Sequence, residues 1–243
     1  VTTPLALPAR EAGWRADAGF LARWVLLGAG SGAVAGGIIG GVGGRIAMFV
    51  LRLTSSDLLS GALTDDGFEI GVVTFATVEL ILVTTIIGAV GGVAYVAMRD
   101  FFPAGFRIVA WAVACGTVGG SVIITTDGID FRLLEPLWLA VAMFIAIPAA
   151  GGAWTADIVE RVRHRGRVAT PLSVLGGLAL VPLLFGPILV AGPLFGAVVL
   201  AGRSSALRGG VDEWWGRALA LTFYATVVGL GGRALWHDVT TVL

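Results

Sequence analysis

Two ionisable side chains, Arg45 and Glu79, stand inside long apolar runs of this 243-residue chain. A charge in hydrocarbon is costly, so such groups usually face a partner or a wet cavity. Arg45 lies nine residues before Thr54, and Glu79 lies nine residues after Ile70, on either side of an acidic stretch. If both runs are helical and antiparallel, each group sits ~13 Å below the same surface. Matched depth on consecutive helices predicts an ion pair. The pair then either locks the hairpin or lines a path for an ion, a proton or an anionic solute.

Two further acidic clusters echo each other. "TDDGFEI" holds Asp65, Asp66 and Glu69; "TDGIDF", with the glutamate that follows it, holds Asp127, Asp130 and Glu135. Carboxylates around a tight glycine turn can hold a hard cation through oxygen ligands. The same residues also make Asp-Gly turns with acidic helix starts that complement a helix dipole. The spacing does not match an EF-hand loop, so the cation reading rests on residue type alone. His164 and His237 are far apart and Cys115 is the single cysteine, which gives no zinc or iron–sulfur pattern. No P-loop, H-E-x-x-H or G-x-S-x-G motif occurs either. These residues predict neither a catalytic centre nor a resident cofactor or metal.

The elements that must carry these groups follow from composition. Hydrophobic residues make up 57% of the chain and charged residues 13%, with a mean hydropathy of +0.93. Soluble domains carry about 25% charge. Apolar runs near 24–53, 70–98, 107–125, 137–158, 171–201 and 213–233 reach or exceed the ~20 residues needed to cross a bilayer. The expected fold is an all-α integral membrane bundle of six helices. Pro182, Pro187 and Pro193 interrupt the fifth run, which becomes a hairpin and gives seven spans if it breaks near Gly186. Residues 1–23 read as a polar tail without the apolar core of a signal peptide, and 24–243 as one transmembrane domain.

Arginine placement sets the expected orientation. Arg10, Arg15 and Arg23 in the tail, Arg99 and Arg107 in one junction, and Arg161, Arg163, Arg165 and Arg167 in another alternate with the two acidic loops. Positive loops stay inside. The amino terminus is therefore expected in the cytoplasm of a bacterial cell, with the chain in its plasma membrane. His164, among the arginines, belongs to that orienting loop. Trp24, Trp111, Trp138, Trp154, Trp214, Trp215 and Trp236 mostly fall near span ends, as an interfacial aromatic belt would. A net charge of zero implies no general attraction to nucleic acid.

The first run, "LLGAGSGAVAGGIIGGVGGR", opens like the glycine turn of a dinucleotide site. That motif needs an amphipathic helix after the turn and an acid about twenty residues on. Here the following helix is apolar on every face, and Val50 and Leu51 occupy the place of the acid. Gly28, Gly32, Gly36, Gly40 and Gly44 instead recur at every fourth residue. A stripe without side chains lets another helix backbone approach closely, and close packing drives association where lipid offers no hydrophobic gain.

The stretches "GGVGGRIAM", "TDDGFEIG" and "TDGIDFRLLEPLWLAVAMFIAIP", with the closing "HDVTTVL", resemble a family of uncharacterised multi-pass membrane proteins of actinobacteria. The resemblance is strongest over residues 30–150, with motif positions at Gly44 and Arg45, Asp65 to Gly71, and Thr126 to Pro136. It implies location and topology, and no activity. Two function classes follow from the sequence. One is a bundle that binds or moves a small ion, a proton or a lipid-like solute around Arg45 and Glu79. The other is a non-catalytic structural or assembly subunit that meets other membrane proteins, or itself, through its helix faces. The lipid bilayer is the surrounding partner in both.

Overall fold

A computed structural model of the chain describes residues 14–55, 75–124, 135–164, 169–181 and 213–243. Every regular element among them is helical. Helix α1 (Trp14–Ala35) passes through a π-helical segment (Gly36–Val42) into α2 (Gly43–Thr54) without a break. Helix α3 (Phe75–Met98) ends in a tight 3-10 turn (Arg99–Phe101), and a second one (Ala104–Phe106) leads into α4 (Arg107–Ile123). The remaining helices are α5 (Leu137–His164), α6 (Ala169–Leu180) and α7 (Glu213–Val242).

Four stretches are long and apolar enough to cross a membrane: Gly19–Thr54, Phe75–Phe101, Ala104–Ile123 and Leu137–Val162. They coincide with the first four expected runs. Of the fifth run only the part within α6 and its adjoining residue is described; whether 171–201 is one span or a hairpin falls on residues outside the description. The sixth run lies in α7, a 30-residue helix that continues to Val242. The tail residues 1–13 and the acidic residues Asp65, Asp66, Glu69, Asp127 and Asp130 also lie outside the described residues.

Helix α1 packs on α3, α5 and α6, while α4 packs on α5 and α7. Glycine lets the first of these pairs touch backbone to backbone. A Cβ added to Gly28 would sit 2.6 Å from the Gly92 carbonyl oxygen; one on Gly32 would strike the Gly88 carbonyl, and one on Gly36 the Thr84 carbonyl. On the opposite side of α1, Gly30 abuts the Leu172 carbonyl and Gly176 abuts the Leu26 carbonyl. Helix α1 is thus held between α3 and α6 with no room for a methyl group on either side.

The outer rungs are different. A Cβ on Gly40 would meet the Thr84 side chain first, at 3.1 Å, and one on Gly44 only Leu80 Cδ2, at 3.9 Å. The π-helical segment spans the changeover, since it contains both Gly36 and Gly40. Its wider turn advances each residue through a smaller angle, so a four-residue repeat that keeps one face of an α-helix drifts off that face. Gly36, Gly37, Gly40 and Gly41 have no side chains to resist the widening.

The α4–α5 pair packs glycine against small side chains. A Cβ on Gly119 would lie 2.6 Å from Pro148 Cβ, and one on Gly152 2.6 Å from Cys115 Sγ. Pro148 sits inside α5, where its missing N–H removes one helical hydrogen bond. The ring is accommodated because its neighbour at Gly119 has no side chain.

Candidate functional site

The chain between α3 and α4 reverses in a few residues because Pro103 cannot continue a helix. Arg99 and Asp100 lie in the 3-10 turn on one side of that proline, and Arg107 begins α4 on the other. Tyr95 lies one turn before Arg99 on α3. From α5 comes Glu160, beside the fully buried Val159 and one turn after the fully buried Ala156.

These five side chains form one network. Arg99 Nε donates to Glu160 Oε1 at 2.9 Å, and Arg99 Nη2 donates to Oε2 at 2.9 Å. Two parallel N–H bonds from the planar guanidinium fix position and angle together. Tyr95 donates its hydroxyl to Glu160 Oε1 at 2.8 Å. Arg107 Nη1 lies 3.5 Å from Glu160 Oε2, and Arg107 Nε donates to the Phe102 carbonyl at 3.3 Å. Asp100 Oδ1 bridges the two arginines, 3.4 Å from Arg99 Nη1 and 3.6 Å from Arg107 Nη2. Two cations and two anions balance.

The setting is apolar. The Arg99 side chain is 0% exposed, against 23% for Glu160 and 19% for Asp100. Its guanidinium carbon is 5.6 Å from the ring centroid of Trp24 on α1, close enough for a cation–π contact. Tyr95 stacks obliquely on Trp111 of α4, with centroids 5.6 Å apart. Met98, Phe102, Ala156 and Val159 complete the core around them. Arg99 therefore joins α1, α3 and α5 at one end of the bundle, and Arg107 adds α4. Every group whose charge would be costly here has an opposite charge within 4 Å.

Arg45 and Glu79 do not meet. Among the described residues no ion pair joins them, and Glu79 is exposed while Arg45 is partly buried with Nη1 3.9 Å from Met48 Sδ. The equal depth is real: Gly44 comes nearest to Leu80, which places their neighbours Arg45 and Glu79 at one level. Their directions differ. Glu79 precedes Gly88 by nine residues, which is two and a half helical turns, so it points away from the seam that Gly88 makes with α1. Counting residues predicts depth, and packing decides azimuth. The expected ion pair within one subunit is corrected on that ground.

Of the acidic loop residues only Glu135 is described. Its backbone N–H donates to Ser55 Oγ at 2.8 Å, and Ser55 Oγ donates to its carbonyl at 3.1 Å. That reciprocal contact ties the end of α2 to the start of α5 at the other end of the bundle. His237 lies 3.6 Å from Asp238 through Nδ1. Among the described residues no group of three or more His, Cys, Asp or Glu side chains could hold a metal ion. An apolar cleft of about 280 Å³ opens between α5 and the junction of the π-helical segment with α2, lined by Ile39, Gly43, Ala47, Met143 and Ala150 among others.

Sequence reasoning missed the network. It counted Arg99 and Arg107 as orienting charges, and it singled out neither Glu160 nor Tyr95. The signal was available in the same depth count applied to Arg45 and Glu79. Glu160 lies two residues past the end of the apolar run 137–158, at the same end of the bundle as the α3–α4 junction, and Tyr95 and Arg99 share a helix face by their four-residue spacing.

No family model, curated protein or solved structure matches the chain.

Proposed function

We propose that the chain is a non-catalytic structural subunit of a membrane assembly, a rigid bundle that presents its outer helix faces to other membrane proteins. What supports this reading is the ionic network. The titratable groups drawn together on folding bond to one another, and they hold Arg99 with no exposure at all. A group set that lines a conduction path would keep an open coordination position or face water. Here the carboxylate of Glu160 takes three hydrogen bonds from Tyr95 and Arg99, with Arg107 beside it. Such a set joins helices. The rival reading, an ion, proton or solute path centred on Arg45 and Glu79, needs the two to share one polar centre, and it has less support because no ion pair joins them among the described residues.

The orientation belongs to the same proposal. The ionic network lies at the cytoplasmic end of the bundle in a bacterial plasma membrane, because the α3–α4 junction and the end of α5 carry the arginines. Arg99 and Arg107 are neutralised within the fold, so the orienting charge falls on the arginines after Glu160 and on the tail.

Native gel electrophoresis of the chain solubilised gently from its own membranes tests the reading. The expected result is stoichiometric co-migration with a second membrane protein. A chain that runs alone and, once reconstituted in vesicles, carries a proton or cation current would overturn it.

A further inference from the structure

Glu79 is a carboxylate on the outside of a membrane helix. It is exposed, it makes no hydrogen bond or ion pair among the described residues, and it lies level with Arg45. Arg45 is nine residues, or ~13 Å, below the end of α2 at Thr54. Around it on the same face of α3 are Phe75, Leu82, Val83 and Ile87, with exposures of 83%, 58%, 43% and 64%. The face is a single anion within a rim of large apolar side chains. Lipid tails would leave that anion unsolvated, and ionisable groups at such depth have a partner almost without exception.

We infer that this face of α3 docks a transmembrane helix of another protein that carries one basic side chain at the depth of Glu79. Charge complementarity selects that occupant. An apolar helix covers the rim by close packing, and its lysine or arginine meets the carboxylate where water is scarce and the attraction strong. A second copy of the chain fits less well. An isologous contact centred here would set two Glu79 carboxylates against each other, and like charges across an interface are unfavourable. Arg45, the arginine at that level, has Nε and Nη2 buried within its own subunit. The inference rests on the assembly reading above and names the surface and chemistry of the partner.

The test is site-specific photocrosslinking of the full chain in the membranes of its source cell. A photoreactive phenylalanine replaces Leu82 or Val83 beside Glu79, or Val122 on α4, which is 71% exposed on a different helix. The expected result is one adduct from positions 82 and 83, absent from 122, whose captured segment is apolar and holds a lysine or arginine within one turn of the crosslink. Glu79→Gln is expected to reduce that adduct at least ~10-fold, corresponding to loss of ~1.4 kcal/mol or more, while Glu79→Asp retains most of it. Because Glu79 makes no hydrogen bond or ion pair among the described residues, an unchanged melting curve for Glu79→Gln would separate lost docking from lost folding. The inference is overturned by an adduct with a second copy of this chain, by adducts with lipid alone, by a captured segment without a basic residue, or by a yield indifferent to Glu79→Gln. A protein captured from Val122 but not from α3 would leave the assembly reading standing and remove only this face. Failure to capture a protein from any position would remove both.

Discussion

Glu79 and Glu160 are both carboxylates on apolar helices, and folding treats them in opposite ways. Glu160 faces inward at the end of α5 and receives Arg99, Tyr95 and Arg107. Glu79 faces outward on α3 and receives none of them. The difference teaches what makes a charge tolerable in a membrane bundle. Burial alone is unfavourable, because desolvating an ion costs several kcal/mol before any attraction is recovered. Glu160 is stable inside because a fork-shaped cation meets both its oxygens and a tyrosine meets one of them again. Glu79, on the face turned away from α1, makes no hydrogen bond or ion pair among the described residues.

The largest effect should come from stranding one partner of the ionic network. Arg99→Met leaves Glu160 with a weaker contact to Arg107 and should lower stability by ~3–5 kcal/mol, as removal of one member of a buried pair does. Arg99→Met combined with Glu160→Met should be more stable than the sum of the single losses. Thermal melting of the four variants in mild detergent measures the coupling, and strict additivity would show that the two residues do not act as a unit.

A smaller loss is expected at the tyrosine. Tyr95→Phe deletes a hydrogen bond to a charged acceptor while keeping the ring against Trp111, so the cost should be ~1.5–3 kcal/mol. If Tyr95→Phe melts with the parent, Arg99 and Arg107 alone satisfy Glu160.

The glycine seam sharpens the contrast between the two halves of the first span. Gly32→Ala and Gly92→Ala place a methyl group against a backbone carbonyl, and overpacking of this kind should cost ~1–3 kcal/mol. Gly91→Ala has open space and Gly44→Ala has only a distant leucine methyl, so neither should lose stability, and alanine's better helix propensity should add up to ~1 kcal/mol. Equal tolerance at Gly32 and Gly91, read from the same melting curves, would mean that α1 and α3 do not touch through their backbones.

The smallest effect on the isolated subunit belongs to Glu79→Gln. Its carboxylate makes no hydrogen bond or ion pair among the described residues, so stability in detergent should change by less than ~0.5 kcal/mol. A loss as large as that of Arg99→Met would place Glu79 inside the subunit after all and erase the comparison.

Composition and periodicity alone determined that the chain forms long apolar helices, and four of the expected runs are seen as spanning-length helices within a few residues. That much is local physics. A backbone in hydrocarbon must satisfy its own hydrogen bonds, so apolar runs of sufficient length become helices whatever surrounds them. Depth was legible for the same reason, since rise per residue is constant, and Arg45 and Glu79 do lie level. Azimuth was not legible. Which side of α3 faces α1 depends on where the carbonyls of Gly88 and Thr84 find partners without side chains, and the π-helical turn after Ala35 resets that face midway along the first span. The ionic network is likewise a product of tertiary structure. It joins side chains some sixty residues apart, Arg99 and Glu160, that only the packing of α3, α4 and α5 brings within hydrogen-bonding distance.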